Sequence, residues 1–283
     1  MTGSDSTSGD QGDDGSEINA QGPKRRRGAN QERPRRRRRA DRLTRLLGHH
    51  LPQQLDRLFL ISLQQRYLYC PVSKVANSSI KAFLYEAELR NAGFTRSAAD
   101  FTTAQVHNFL FGPLLQTYQV PSDMLEDMLS DDTFKRILFV RNPADRLVSC
   151  FLDRVRTPGS VPSKVMQRAL GTDNPDEISF DQFVGVIAEQ DIKDMNPHWR
   201  PIYYEACSDK IDYNRIYRFE ALQSELFRLL EEVYPAIAGS IDLGINLSPA
   251  KTDAGKRVAE FVTPALKAKI DAIYSVDYET FGY

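Results

Sequence analysis

Two short segments concentrate the side chains able to hold an anion. The first, VSKVANSS over residues 72–79, sets Lys74 among small residues and ends in two hydroxyls, Ser78 and Ser79. It follows the run RYLYC and precedes IKAFLYEAELRNAG, where Ile80, Phe83, Leu84 and Ala87 recur at i, i+3, i+4 and i+7. That spacing predicts a helix with one buried face, stopped by Asn91 and Gly93. A strand, a small-residue loop and a helix start together make an anion cradle. The first backbone N–H groups of a helix lack intrahelical partners, and the helix dipole favours negative charge there. Val75, Ala76 and Asn77 supply loop amides, Lys74 a full positive charge, and the serines two hydroxyl donors. The triphosphate-binding version, GxxxxGK followed by Ser or Thr, is absent. On these residues alone, Lys74 reads as well as a surface lysine and the serines as an ordinary helix cap.

The second segment shifts that balance. KRILFV over residues 135–140 is a continuous apolar run of the kind a buried parallel strand requires. It ends at Arg141, and Asn142 with Pro143 then supplies an N-cap and a first-turn proline. The helix that follows buries Leu147, Val148, Phe151 and Leu152, and it carries Ser149 on another face. Arg141 at the strand's carboxyl end and Ser149 two turns on are placed to hold a second anion, since ligands of open α/β sheets bind at such strand ends. The alternative makes Arg141 a capping or ion-pair residue and Ser149 a packing serine.

Elements must position these turns. LFLIS and RYLYC, separated by Gln64 and Gln65, predict a β-hairpin over 58–71. Helices are expected over 78–91, 142–154, 220–232 and 263–275. SFDQFVGVIAEQ, inside residues 157–194, adds another on the side expected to meet an acceptor. The pattern predicts an α/β fold with a central, mainly parallel sheet.

Composition narrows the class. Of 283 residues 41% are hydrophobic, which excludes a wholly disordered chain. Three widely spaced cysteines make neither a disulfide scaffold nor a four-cysteine zinc site. No apolar run reaches the ~20 residues of a membrane span, and no signal peptide is visible. A soluble, cytoplasmic protein is therefore expected, with a membrane-peripheral location as its variant. Residues 1–22 carry five acids and no Lys or Arg, whereas residues 23–45 carry twelve bases against Glu32 and Asp41. Residues 1–44 are too polar to offset the entropy of ordering and are expected to form a disordered arm before a single domain over 45–283. The arginines at 35–39 suit weak contact with an anionic polymer or a membrane surface. No aromatic residue interleaves them, which argues against base stacking.

Taken together, the motifs resemble those of sulfotransferases. CPVSKVANSSIK resembles that family's 5′-phosphosulfate loop and RNPADRLVSCF its 3′-phosphate motif. NPHWRPIYYEACSDKIDYNRIYRFEAL and the C-terminal VTPALKAKIDAIYSVDYETFGY are similar to further segments of the HNK-1 and chondroitin/dermatan 4-O type carbohydrate sulfotransferases. The resemblance covers roughly residues 58–283. It departs at Ser73, where Pro is usual, and at Asn77, where Cys is common. The Golgi members carry an N-terminal anchor and lumenal disulfides; lacking both signals, this sequence is expected to be of the bacterial type.

The resemblance implies a three-layer, P-loop nucleotide-kinase-like fold. It implies transfer of a sulfuryl group from 3′-phosphoadenosine-5′-phosphosulfate to a hydroxyl of an acceptor, a carbohydrate by family expectation, with no metal required. Lys74, Val75, Ala76, Asn77, Ser78 and Ser79 would hold the 5′ end, and Arg141 and Ser149 the 3′-phosphate. An alcohol acceptor needs a base close by. His107 lies where the family places its catalytic histidine and is the first candidate; His198 is the second, or is structural beside Trp199; a Glu or Asp base is the remaining option, and His49 and His50 precede the hairpin. Glu220 orients substrate or caps the following helix. Two alternatives stand beside this reading: a phosphotransferase with a variant phosphate loop, and a non-catalytic nucleic-acid-binding protein using the arginine arm.

Overall fold

The computed structural model describes residues 55–108, 111–244 and 254–283. The expected arm over 1–44, His49 and His50 lie outside the described residues. The sheet is built around the apolar run anticipated above, strand β4 (Lys135–Val140), in which Ile137, Leu138, Phe139 and Val140 are fully buried. Burying each such side chain is worth about 1.5–3 kcal/mol relative to leaving it in water. Strands β1 (Leu60–Ser62) and β2 (Tyr67–Cys70) form the expected hairpin, and β3 (Leu115–Gln116) pairs antiparallel on the far side of β1. β4 pairs parallel with β2 on one side and with β5 (Arg215–Arg218) on the other, giving the order β3-β1-β2-β4-β5.

The architecture is α/β, and the sheet is mixed rather than mainly parallel. The cause is the hairpin: a connection as short as the one between Ser62 and Tyr67 can only return the chain antiparallel. The parallel half is the part that matters for chemistry. Cys70 pairs with Leu138 and Val140 with Arg218. The chain therefore leaves three neighbouring strands at one carboxyl edge, at Pro71, Arg141 and Phe219.

Eleven α-helices occur among the described residues. In the first half these are α1 (Asn77–Asn91), α2 (Thr103–His107), α3 (Ser122–Ser130), α4 (Pro143–Cys150), α5 (Val161–Leu170) and α6 (Phe180–Ala188). They are followed by α7 (Ile202–Glu205), α8 (Leu222–Val233), α9 (Ala254–Phe261), α10 (Pro264–Ile273) and α11 (Ser275–Phe281). Ile80, Phe83, Leu84 and Ala87 of α1 are all buried, as their spacing requires. The helix expected over 142–154 is interrupted. After Cys150 the chain widens into a π turn, Phe151–Val155. A second core braces that turn: Phe151 stacks on Phe183 and meets Phe180 and Phe261 edge-on. Trp199 packs edge-on against Phe183. The three cysteines are buried free thiols.

Candidate active site

The turn from β2 into α1 is held in an uncommon backbone conformation. Lys74 and Ala76 both have positive φ, 69° and 62°, although neither is glycine. Such residues cost of order 1–3 kcal/mol each and persist where surrounding structure holds them. Ala76 is the N-cap of α1 and no side chain caps it. The serines are therefore not the ordinary cap that the sequence left open. Ser79 is buried, while Ser78 Oγ lies 2.8 Å from His107 Nε2 in a shared hydrogen bond. Nor is Lys74 a surface lysine: its side chain is 12% exposed and its Nζ sits 2.5 Å from Asp153 Oδ2. Burial lowers the ammonium's pKa, and Asp153 opposes that shift.

The turn from β4 into α4 meets the first one directly. Arg141 Nη1 donates to the carbonyl oxygen of Lys74 at 3.0 Å, and its guanidinium lies 4.0 Å over the ring of Phe219. The three strand exits thus converge. Arg141 Nε is buried and has no hydrogen-bond partner. Burial lowers this guanidinium to about 10, with Asp145 and Glu220 opposing. Asn142 caps α4 as anticipated, its Oδ1 accepting from the N–H groups of Ala144 and Asp145. Ser149 is buried on α4.

Arg146 joins the two turns to the histidine–tryptophan segment. It is 1% exposed and donates to the carbonyls of Ser73, Arg200 and Pro197 at 2.8–3.0 Å. These bonds tie the segment that carries His198 to the Lys74 loop, and the ring's Nδ1 lies 2.8 Å from Asn196 Oδ1. Desolvation and nearby cations push both imidazoles down to about 4: Lys81 and Arg154 act on His107, and Arg154, Lys74 and Arg146 on His198. Both rings are neutral at pH 7 and able to accept a proton. Glu220 does not cap the helix that follows it. Its carboxylate accepts from the backbone N–H of Asn142 at 2.7 Å and from the Tyr283 hydroxyl at 3.0 Å, and α8 begins without a side-chain cap.

The sequence places Arg146 on the helix face of Asn142 and Ser149 without giving it a role, and four further residues escape that reading: Asp153, Arg154, Phe219 and Tyr283. The sequence offers a signal for Arg146, a charged residue among the apolar positions of its helix. None marks Asp153 and Arg154, because a helical period of 3.6 carries them onward as solvent-facing residues and does not encode a π turn. Beyond Glu220 lies an open groove of about 520 Å³, lined by Leu222, Gln223, Phe227, Ile241 and Leu243 among others.

No solved structure matches this chain. Among curated proteins it is similar to mouse carbohydrate sulfotransferase 14, 26% identical over 188 residues, covering 63% of this chain and 47% of the relative. It is also similar to human carbohydrate sulfotransferase 8, 26% identical over 186 residues, with 62% and 42% covered. Mouse carbohydrate sulfotransferase 11 is 21% identical over 250 residues, with 82% and 68% covered. The chain spans about half the length of the first two. These matches correct the cytoplasmic location expected from the sequence, because they fall on carbohydrate sulfotransferases, the branch whose Golgi members the resemblance named. None of the described helices is long and apolar enough to cross a membrane, and that fact does not restore the expectation. The family model described as the sulfotransferase family matches residues 57–283, from just ahead of the hairpin through both turns to the C-terminal tyrosine; this chain belongs to the sulfotransferase family.

Proposed function

We propose that the chain is an O-sulfotransferase that uses 3′-phosphoadenosine-5′-phosphosulfate and modifies a hydroxyl of a carbohydrate. In this reading residues 45–283 form one three-layer domain of the P-loop nucleotide-kinase-like type. One observation carries it: the Arg141 guanidinium grips the Lys74 carbonyl, so two cationic strand-to-helix turns close on a single edge of the sheet. A donor charged at both ends needs such a pair, whereas one phosphate loop would suffice for a simple anion.

The residues fit that donor. Arg141 presents a buried Nε without a partner, which a 3′-phosphate would satisfy with Ser149 at its side. The loop amides of Val75, Ala76 and Asn77, with Ser78 and Ser79, would hold the 5′ end, and the groove beyond Glu220 offers room for the nucleoside. The donor supplies an activated sulfuryl group. Lys74 is placed to stabilise charge that develops on the departing phosphate oxygen, a contribution realised mainly in the transition state. His107, tied through Ser78 to the same loop, takes the acceptor's proton; its depressed pKa keeps the ring unprotonated at neutral pH and also makes it a weaker base. His198, on the segment that Arg146 ties to the loop, is the second candidate base.

The test is direct transfer of labelled sulfate from the donor to a panel of glycans, run beside phosphate transfer from ATP with magnesium. Sulfate transfer alone supports the reading. Phosphate transfer alone would establish the phosphotransferase alternative.

A further inference from the structure

The π turn brings a second cation to the place where Lys74 is held. Asp153 Oδ2 lies 2.5 Å from Lys74 Nζ and 3.1 Å from Arg154 Nε, so one carboxylate oxygen bridges both. Two cations that share one oxygen are close enough to share an oxygen of another anion. Within the π turn Asp153 reaches the Lys74 ammonium, and its neighbour Arg154 binds the same carboxylate oxygen. The bracing around the turn is heavy, with Phe151 and Val155 fully buried at its two ends. Arg154 itself remains reachable, its side chain 45% exposed. Its charge also lowers the pKa of Lys74, His107 and His198, in keeping with the Asp153 oxygen it shares with Lys74.

We propose that Arg154 is a further catalytic residue of the sulfotransferase reading, binding the oxygens of the sulfuryl group in transfer beside Lys74, and that Asp153 holds both cations in register. The proposal rests on the function proposed above. In the transfer the acceptor oxygen forms a bond to sulfur. The bond from sulfur to the 5′-phosphate oxygen breaks with its electron pair left on phosphate, and the acceptor's proton passes to an imidazole. Arg154 makes and breaks no covalent bond. It supplies fixed positive charge where Asp153 supplies it with a negative partner at rest, so little rearrangement is needed when sulfuryl oxygens arrive.

The experiment compares wild type, Arg154→Gln, Arg154→Lys and the surface control Lys164→Gln. It measures kcat, affinity for 3′-phosphoadenosine 5′-phosphate, which lacks the sulfuryl group, and the imidazole pKa values by NMR. Arg154→Gln should lower kcat by ~10², the scale of one transition-state donor, with affinity for the desulfated nucleotide changed less than about threefold. Arg154→Lys should restore part of the rate, and both imidazoles should titrate higher in Arg154→Gln than in wild type. Unchanged kcat, or a nucleotide affinity that falls as far as kcat, overturns the proposal, the second result making Arg154 a phosphate anchor. Should Arg154→Gln fail to fold, Arg154→Lys and the histidine titrations of the folded enzyme decide. A wild type that binds no nucleotide and transfers no sulfate sinks the underlying function instead, and this proposal with it.

Discussion

At the residue scale, the two strand-to-helix turns hold charged groups away from water at fixed positions. Lys74 is nearly buried yet paired, and Arg141 is buried with a donor to spare. Removing Lys74 as Lys74→Ala should lower turnover by ~10² or more while leaving the 3′ pocket intact, as steady-state kinetics and nucleotide titration will show. The histidines make a pH prediction. Their folded pKa of about 4 lies below the ordinary 6.5. The unfolded chain therefore binds protons that the folded chain refuses between those values. Their contribution to stability is complete above 6.5 and is lost as pH falls toward 4. In kcat/KM for the donor, which reports the free enzyme, the acid limb should sit near 4. A limb at 6.5 that vanishes in His107→Ala would show that the ring is solvated and differently placed.

At the element scale, strain and buried carbonyls decide the shape of the cradle. Ala76 sits in the left-handed region at φ 62°, where a side chain costs roughly 1–2 kcal/mol. Ala76→Gly should therefore raise stability by about 1 kcal/mol, visible as a higher thermal midpoint. A lower midpoint would mean that the methyl group packs more usefully than the backbone is strained. Arg146→Ala should do the reverse, leaving three carbonyls without a donor at a cost of about 1–3 kcal/mol for each buried one left unsatisfied. Asp277 is a comparable fastener: its carboxylate accepts from the N–H groups of Ile202 and Tyr203, tying α11 to the start of α7.

These elements show how far periodicity and end signals reach. The apolar run ending at Arg141, the Asn142–Pro143 helix start and the buried face of α1 were legible because each rests on local pattern. The π turn was not, because it is imposed by the aromatic cluster that packs around Phe151 from α6 and α9. The capping reading of Glu220 failed for a similar reason: its partners, Asn142 and Tyr283, are distant in sequence. Both strand-to-helix turns were visible as motifs, and their contact through Arg141 was not.

At the scale of the whole molecule, the family match begins at residue 57, beyond the stretch of opposed charge at the N-terminus. The chain's net −1 conceals that stretch, with −5 over residues 1–22 and +10 over 23–45. If the arm serves only as an anionic-surface contact, deleting residues 1–44 should leave nucleotide affinity and the thermal midpoint of the remainder unchanged, as calorimetry would show. A large loss of either would tie the arm to the fold or the site.

The most direct test sets ligand against residue. Titration calorimetry of wild type, Lys74→Ala and Arg141→Gln with 3′-phosphoadenosine 5′-phosphate and with adenosine 5′-phosphate separates the two ends of the nucleotide. Two cradles gripping opposite ends predict that wild type prefers the 3′-phosphorylated compound by at least ~10-fold, about 1.4 kcal/mol. Arg141→Gln should abolish that preference, and Lys74→Ala should preserve it. Equal affinities in wild type, or a preference that survives the loss of Arg141, would contradict the assignment.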